Sequence, residues 1–272
     1  MNGVEMNLLV KPESRGAAIA AMLRERDFLS VEELAGRFEV TTQTIRRDIN
    51  GLCEQGIARR LHGGIGRPTG RGNVAFQERR VLNRAAKMAI GRTLAARIPD
   101  GASVSFGIGT TPQMVAEALM DHQGLKIVTN NLPIALTAAQ NPTFEIAIVG
   151  GLVRNSDLDV CGSAIEGFFG AYKVDFAVFG VGGVDEDGSL LDFTHEEVQA
   201  RQAMRANCRR SFLVLDATKF GRPAHVHGGR IDQVDTVFCE TTLPQAIRDL
   251  IAGSRTSFVS CSDEIAGDAS SG

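Results

Sequence analysis

Residues 28–64, FLSVEELAGRFEVTTQTIRRDINGLCEQGIARRLHGG, carry the strongest structural signal in this chain. Apolar residues recur at helical spacing over 31–38 and again over 42–53, which predicts two short amphipathic helices. A short turn separates them, and Thr41 has the side chain expected of a helix N-cap. The segment 56–64 places two arginines between glycines, as in a small basic hairpin. Together these features predict a winged helix-turn-helix, which inserts its second helix into the major groove of DNA.

The second predicted helix has one apolar and one polar face. Its apolar face is formed by Ile45, Ile49 and Leu52. Arg can bind guanine through two hydrogen bonds, Gln and Asn can bind adenine, and Thr can contact a thymine methyl group. A solvated helix of an ordinary bundle would also carry such charges, but the agreement of caps, faces and hairpin favours a DNA-binding module. The predicted contacts to double-stranded DNA are Thr42, Gln43, Thr44, Arg46, Arg47, Asn50, Arg59, Arg60 and His62.

Length and composition limit what the whole chain can be. With 272 residues it can hold two domains, and a hydrophobic fraction of 43% is sufficient for a core. No apolar run approaches the roughly 20 residues of a membrane helix, and we expect no signal peptide and no membrane partner. The five cysteines are scattered without a CxxC pair, which favours reduced thiols over disulfides or a zinc site. We therefore expect a cytoplasmic protein with no metal and no cofactor.

Charge is distributed unevenly along the sequence. The formal net charge is −3, yet residues 1–72 carry 11 Lys and Arg against 9 Asp and Glu. The predicted DNA-binding part is thus only weakly basic, and a single copy offers few cations to the phosphate backbone. Two linked copies gain affinity because the second binds at a raised effective concentration. We predict a homodimer or homotetramer.

The positions of glycine- and proline-rich segments along the chain predict its domain boundaries. The predicted segments are a disordered leader over 1–13, a winged helix-turn-helix domain over 14–66, a linker over 67–75, an α/β domain over 76–261 and a disordered tail over 262–272. The second domain is predicted to begin with a long helix over 79–98, after which short apolar strands alternate with helices. Such alternation indicates a mostly parallel sheet, which binds ligands beyond the carboxyl ends of its strands.

Polar loops follow several of the predicted strands. The loop 107–112 lies between a strand and a helix N-terminus, where free backbone N–H groups suit a phosphate. It matches neither a dinucleotide fingerprint nor a Walker loop, and a simple tight turn would explain it equally well. Other strand ends add polar and cationic groups, which together favour a small anionic ligand. The candidate ligand-binding residues are Gly107, Gly109, Thr110, Thr111, Asn130, Gly151, Arg154, Glu197 and Lys219.

Over about residues 14–260, the chain resembles the DeoR family of bacterial transcriptional repressors. The resemblance rests on motifs that occur here in one order: Thr44-Ile45-Arg46-Arg47-Asp48, His62-Gly63-Gly64, Gly107-Ile108-Gly109-Thr110-Thr111, Thr129-Asn130, Gly150-Gly151 and Asp216-Ala217-Thr218-Lys219-Phe220. It implies an N-terminal winged helix-turn-helix plus a C-terminal, mostly parallel α/β sensor domain that is ribose-5-phosphate-isomerase-like. It also implies a phosphorylated sugar or polyol as effector. The loops at 109–112, 129–132 and 187–191 are most similar to the branch of the family that responds to glycerol 3-phosphate.

Several interpretations compete. The leading hypothesis is a repressor of glycerol metabolism that its effector releases from the operator; the nearest alternative is a repressor of another sugar-phosphate pathway, such as fructose or an amino sugar. A sugar-phosphate isomerase would need an acid and a base, nominally Glu197 and Lys219, but would leave the winged helix without a purpose. A DNA-architectural protein does not account for so large a sensor domain. We expect no catalytic residue and no enzymatic activity.

Overall fold

The computed structural model describes residues 12–26, 28–54, 57–61, 63–66 and 76–261. Contacts divide the chain into two units, residues 1–70 and 71–272. The predicted linker and tail, and the leader up to residue 11, lie outside the described residues, so their disorder stays a prediction. Residues 12 and 13, assigned to the leader, belong instead to the first helix.

The first unit combines short helices with a small sheet. Its elements are α1 (Pro12–Glu25), β1 (Phe28–Ser30), α2 (Val31–Arg37), α3 (Thr42–Glu54), β2 (Arg59–Leu61) and β3 (Gly64–Gly66). The strands pair in the antiparallel order β1-β3-β2. Both helices of the predicted helix-turn-helix and the hairpin wing are present, whereas β1 was not predicted. That strand pairs Leu29 with Ile65 and so joins the start of α2 to the wing.

The core of the first unit comes from one face of each helix. Ile45, Ile49 and Leu52 of α3 are buried, as their spacing predicts, and they meet Ile19 of α1 and Leu34 of α2. Burying a side chain of this size contributes about 1.5–3 kcal/mol relative to leaving it exposed. Rotating α3 about its axis would expose these apolar side chains and lose this stabilisation. The core therefore determines which face of α3 remains exposed.

Polar contacts fix the helix starts and the pairing of α1 with α3. The Ser30 hydroxyl accepts the backbone N–H of Glu33 at 3.0 Å, and the Thr41 hydroxyl accepts that of Thr44 at 3.2 Å. Each satisfies a donor that has no partner within its own helix. Across the unit, the largely buried Arg15 of α1 makes a two-point ion pair with Asp48 of α3. The Thr41 cap was predicted; the ion pair was not.

The second unit alternates strands and helices, as predicted. Its elements are α4 (Phe76–Val81), α5 (Arg84–Ala95), β4 (Ser103–Phe106), α6 (Thr110–Ala118), β5 (Lys126–Thr129), α7 (Leu132–Ala138), β6 (Glu145–Ile148), β7 (Leu152–Arg154), β8 (Asp159–Cys161), α8 (Ala164–Gly170), β9 (Val174–Phe179), β10 (Gly183–Val184), β11 (Ser189–Asp192), α9 (His195–Ala206), β12 (Cys208–Val214), β13 (Val226–Arg230), β14 (Thr236–Cys239), α10 (Gln245–Ala252) and β15 (Ser257–Ser260). Short 3-10 turns span Ala217–Lys219 and Ile231–Gln233.

A parallel sheet of seven strands forms the centre of the second unit. Its order is β15-β14-β12-β9-β4-β5-β6, and each neighbouring pair is parallel. The chain builds outward from β4 to β6 on one side and from β9 to β15 on the other. The order therefore reverses between β4 and β9, where the loops that follow the two strands diverge and leave a crevice. This is the position at which sheets of this kind bind ligands.

Two smaller antiparallel elements that the sequence did not reveal accompany this sheet. Strands β10, β11 and β13 form one, and the hairpin of β7 and β8 forms the other. The hairpin pairs Arg154 with Asp159 across its turn, while β11 leads through Asp192 into helix α9. Both elements contribute side chains at the carboxyl edge of the large sheet.

The long helix predicted over 79–98 is wrong as a single element. Helix α4 ends at Val81, Asn83 adopts a left-handed backbone with φ of 49°, and α5 begins at Arg84. Asn tolerates this conformation better than most residues with a side chain. Its Nδ2 donates to Asp216 Oδ1 at 3.1 Å, so a contact far along the sequence overrides the local helical pattern.

A buried lysine completes the break between the two helices. Lys87 of α5 turns its Nζ back and donates to the backbone oxygen of Arg79 at 2.7 Å and of Leu82 at 2.6 Å. Carbonyls at a helix end have no partner within the helix, and a cation there also interacts favourably with the helix dipole. Lys87 therefore ends α4 and fixes its direction relative to α5.

Candidate functional site

The polar face of α3 is open to solvent. Thr42, Gln43, Arg46, Arg47 and Asn50 are all exposed, opposite the apolar face that packs into the core. Two adjacent guanidinium groups and the amides of Gln and Asn supply the donors and acceptors that base edges and phosphates require. The geometry of the unit thus agrees with the recognition helix predicted from the sequence.

Three of the predicted DNA contacts, Thr44, Asn50 and Arg60, also make hydrogen bonds inside the unit. Arg60 of β2 donates a short hydrogen bond to Asn50 Oδ1, which ties the wing to the recognition helix. Thr44 is half-buried, and its hydroxyl lies 2.9 Å from that of Thr41. The side chain of Arg59 and all of His62 lie outside the described residues, so their roles stay predictions.

A cavity, called here the basic cavity, opens where the sheet order reverses between β4 and β9. Its lining consists of Arg79, Ile108, Gly109, Thr110, Thr111, Pro112, Gly180, Val181, Gly182, Asp192, Phe193, Glu197, Val214 and Lys219. Helix α6 begins at this cavity, and Gly109 precedes it with φ of 128°, which side-chain-bearing residues rarely adopt. The free N–H groups and the positive end of the helix dipole make such a start suitable for an anion.

Positive charge accumulates around the basic cavity. Burial, helped by the like charges of Arg222, Arg79 and Lys87, lowers the pKa of Lys219 to about 7 against the opposing effect of Asp216. Burial likewise lowers the pKa of Lys87 to about 8. An anionic ligand among these groups would relieve their mutual repulsion. A cation cluster beside a helix N-terminus is the charge pattern expected of a phosphate site.

A second cavity, called here the polar cavity, adjoins the basic cavity. The two share Ile108, Gly180, Asp192 and Glu197. The remaining residues of its lining are Gly107, Asn130, Asp159, Val160, Cys161, Ile165, Phe179, Glu196, Ala200 and Arg201. Acidic and amide groups are prominent there, in contrast to the cations of its neighbour. A ligand that spans both cavities would meet cations at one end and hydrogen-bond acceptors at the other.

Asn130 supplies an acceptor to the polar cavity. The residue is 2% exposed, and its Nδ2 donates to the backbone oxygen of Val160 at 3.1 Å. Among the described residues, its Oδ1 is buried without a hydrogen-bond partner. Buried polar atoms are rarely left unpaired in folded proteins, since each costs about 1–3 kcal/mol. A ligand hydroxyl that donated to this oxygen would remove that cost.

Glu197 lies where the two cavities meet. Thr194 caps α9 by accepting the backbone N–H of Glu197 at 3.3 Å, which turns the first residues of the helix toward the site. The Oε2 atom of Glu197 accepts the Phe193 N–H at 3.0 Å, and the Oε1 atom of Glu197 lies 2.9 Å from Arg154 Nη1. Burial, followed by the charge of Asp192, raises the pKa of Glu197 although Arg154 opposes the shift.

The structure does not bring all predicted ligand residues together. Gly107, Gly109, Thr110, Thr111, Asn130, Glu197 and Lys219 line one or both cavities. Arg154 and Gly151 are not among the described residues that do so. Instead, Arg154 binds Asp159, with Nε–Oδ1 and Nη2–Oδ2 distances of 3.0 and 3.1 Å, and contacts Glu197. Because the Arg154 guanidinium contacts both Asp159 and Glu197, it positions Glu197. A direct contact between Arg154 and a ligand stays a prediction.

Sequence analysis missed three cationic residues at or near this site: Arg79 lines the basic cavity, and the charges of Arg222 and Lys87 lower the pKa of Lys219. Arg222 follows the Asp216–Phe220 segment closely, and its place after a polar loop is a signal that could have included it. Arg79 and Lys87 fall inside what resembled one continuous amphipathic helix. No local pattern distinguishes them from the other charged residues of that stretch, because their position depends on the break at Asn83.

A winged helix-turn-helix joined to an α/β unit with an anion-suited cavity defines a DNA-binding regulator with a small-molecule sensor. Comparison with known families agrees: a DeoR-like helix-turn-helix domain matches residues 15–70, and a DeoR C-terminal sensor domain matches residues 82–241. The chain therefore belongs to the DeoR family. Double-stranded DNA and a phosphorylated sugar-like effector are the partners that this membership implies.

Curated relatives extend the comparison over most of the chain. The chain is 38% identical over 242 residues to the glycerol-3-phosphate regulon repressor of Escherichia coli, covering 89% of this chain and 96% of that repressor. It is 37% identical over 256 residues to the repressor of the same name from Haemophilus influenzae, covering 94% and 100%. It is 36% identical over 238 residues to the E. coli repressor CsqR, covering 88% and 91%. These relatives are transcriptional repressors, so the chain is a regulator and not the isomerase that its sensor fold also allowed.

Solved structures resemble the chain only distantly. Ribose 5-phosphate isomerase A from Methanocaldococcus jannaschii is 15% identical, covers 52% of this chain and 56% of its own, and has a TM-score of 0.38. At these values the likeness carries no argument, and the α/β class rests on the strand order and the family match. Among the described residues, no helix is long and apolar enough to cross a membrane. The described residues also contain no cluster of His, Cys, Asp or Glu that could hold a metal ion.

Proposed function

We propose that this protein represses genes of glycerol and glycerol 3-phosphate metabolism and that glycerol 3-phosphate releases it from its operator. The observation that carries the proposal is the adjoining pair of cavities, one rich in cations and one with acceptors for hydroxyl groups. Glycerol 3-phosphate has a dianionic phosphate at one end and two hydroxyl groups beyond it. Two relatives named glycerol-3-phosphate regulon repressors, at 38% and 37% identity, support this choice of effector.

In this proposal the phosphate occupies the basic cavity. Backbone N–H groups of Gly109, Thr110 and Thr111 would bind its oxygens, because the start of α6 presents unpaired donors there. Lys219 would add a point charge that needs no planar geometry. The glycerol hydroxyls would then extend toward Glu197 and toward Asn130 Oδ1, for which the described part of the chain offers no hydrogen-bond partner.

Release from DNA requires that the effector favour a state with poor DNA affinity. The required coupling is about 1–3 kcal/mol, which corresponds to roughly a 5- to 150-fold change in operator affinity. Lys219→Ala should remove the phosphate contact without touching the recognition helix. Gel shifts of this variant should show normal operator binding that glycerol 3-phosphate no longer reverses. Lys173→Ala, which changes an exposed lysine outside the cavities, is the matched control.

Thermal denaturation with a panel of metabolites tests the effector itself. A ligand present at a hundredfold excess over its Kd stabilises the protein by about 2.7 kcal/mol. We expect stabilisation by glycerol 3-phosphate and little or none by glycerol, fructose 1-phosphate or glucosamine 6-phosphate. Preferential stabilisation by a hexose or amino-sugar phosphate would instead assign the protein to another sugar-phosphate pathway and refute the glycerol assignment.

A further inference from the structure

Helix α4 brings Arg79 to the basic cavity. It begins at Phe76, the first described residue after the segment 67–75 that joins the two units. The backbone N–H of Phe76 donates to the Ser156 oxygen at 2.9 Å, and its ring is buried. The Arg79 guanidinium lies 5.7 Å from the centroid of that ring and lines the same cavity as Lys219. The side chain of Arg79 thus connects the start of the second unit to the proposed phosphate site.

A buried carboxylate holds Arg79 in place. Arg79 forms a short ion pair with Asp157, whose side chain is 3% exposed. Asp157 Oδ2 also lies 3.6 Å from Arg154 Nε, and Arg154 in turn contacts Glu197. Asp157 therefore has a second guanidinium nearby, so it would still face a cation if Arg79 moved away.

We propose that Arg79 binds the effector's phosphate and that the phosphate draws it away from Asp157. This inference rests on the proposed function. A guanidinium binds phosphate and carboxylate through the same two-point geometry, and the phosphate carries nearly twice the charge of a carboxylate. Leaving a buried carboxylate unpaired would be strongly unfavourable, but Arg154 remains beside Asp157. Through this exchange α4, which adjoins the joining segment, responds to the occupancy of the cavity.

A static role for Arg79 predicts a different outcome. If the ion pair with Asp157 merely anchors α4, removing either charge breaks the same contact, and both substitutions should weaken effector binding. If Arg79 is a phosphate ligand, removing its charge weakens binding, whereas removing the Asp157 charge frees Arg79 for the phosphate and strengthens binding. The two roles therefore differ in the sign of the Asp157 effect.

Calorimetric titration of the full chain with glycerol 3-phosphate, and separately with inorganic phosphate, measures this sign. Arg79→Gln should weaken binding of both probes by about tenfold or more, since a charge-assisted hydrogen bond is lost. Asp157→Asn, which keeps the shape of the side chain, should strengthen binding by roughly threefold or more. Arg80→Gln is the matched control, because Arg80 is exposed on the same helix, lies 3.6 Å from Glu117 and is not part of the described lining.

Unchanged binding in Arg79→Gln, or unchanged or weaker binding in Asp157→Asn, overturns the inference. Circular dichroism tests whether each variant is folded. If Arg79→Gln does not fold, Arg79→Lys replaces it: this variant keeps the charge, loses the two-point contact and should bind the probes severalfold more weakly. A wild-type protein that binds neither probe would refute the proposed function itself, an outcome distinct from wild-type binding that Arg79→Gln leaves intact.

Discussion

Lys219 illustrates how the surroundings of one residue determine its chemical use. Burial and the neighbouring guanidinium groups hold its pKa at about 7, well below the ordinary value of 10.5 for lysine. A phosphate dianion bound beside it would favour the protonated form and raise this pKa again. At pH values between the pKa of Lys219 in the free protein and its pKa in the complex, ligand binding is therefore accompanied by uptake of a proton.

We predict that affinity for glycerol 3-phosphate falls as the pH rises from about 7 to about 9. Free Lys219 loses its proton over this range, while the second ionisation of the phosphate, near pH 6, is already complete. Lys87, with a pKa of about 8, acts in the same direction. Calorimetry at pH 8 in two buffers of different ionisation enthalpy measures the proton uptake. Lys219→Arg should reduce this uptake, and an affinity that increases with pH would contradict the prediction.

Single residues also mark the limit of what the sequence predicts. Asn130, Glu197 and Lys219 could be selected because each lies at the end of a strand or the start of a helix, where parallel sheets collect ligand groups. Arg79 and Arg80 are adjacent and chemically identical, yet one faces a cavity and the other faces solvent. That difference is set by the direction of α4, which no neighbouring residue reveals.

Secondary-structure elements with a periodic apolar pattern could be predicted from the sequence. Breaks that depend on contacts between residues distant in sequence could not. Helices α2 and α3 follow from apolar spacing, and strands β4, β5 and β9 follow from short apolar runs between polar loops. The edge strand β15 and strand β7 lack such runs, because their residues are exposed or half-buried, and β8 contains only three residues, beginning with the buried Asp159. The division between α4 and α5 depends on the contact of Asn83 with Asp216, which a local pattern cannot contain.

We predict that Asn83→Ala destabilises the protein more than Asn83→Gly. Both substitutions remove the hydrogen bond to Asp216, but only alanine must also adopt the left-handed backbone with a Cβ. That conformation costs about 1–2 kcal/mol for a residue with a side chain. Urea unfolding of the two variants measures the difference. Equal stability, or a more stable alanine variant, would show that the left-handed turn does not persist in solution.

The recognition helix allows a prediction about how DNA is contacted. Arg46 and Arg47 are both exposed on the polar face of α3. Replacing an arginine that binds a base by alanine should cost about 1–3 kcal/mol of DNA-binding free energy and relax specificity at one base pair. Replacing one that binds phosphate should weaken binding to all DNA sequences alike and reduce the salt dependence of affinity. Gel shifts of Arg46→Ala and Arg47→Ala over a salt series separate these roles. Arg37→Ala, at the exposed end of α2, is the control, and normal operator affinity in both α3 variants would refute the assignment.

For the whole molecule, the distribution of charge links DNA binding to assembly. The segment 1–72 has only two more basic than acidic residues, while the remainder of the chain is acidic overall. Long-range attraction of DNA by the protein as a whole is therefore weak, and affinity must come from a few directed contacts per copy. Contacts of this kind give tight binding when several copies act together.

We therefore predict that the protein is at least a homodimer in solution and binds paired half-sites. The centres of the half-sites should lie about 10 bp apart, or a multiple of this, so that both recognition helices meet the same side of the duplex. Light scattering measures the mass against the 29.1 kDa of one chain. Gel shifts then compare a paired site with the same site after a 5-bp insertion, which rotates one half-site by about half a turn. A monomeric mass, together with equal affinity for paired and single half-sites, would show that each copy binds DNA alone and that its few cations suffice.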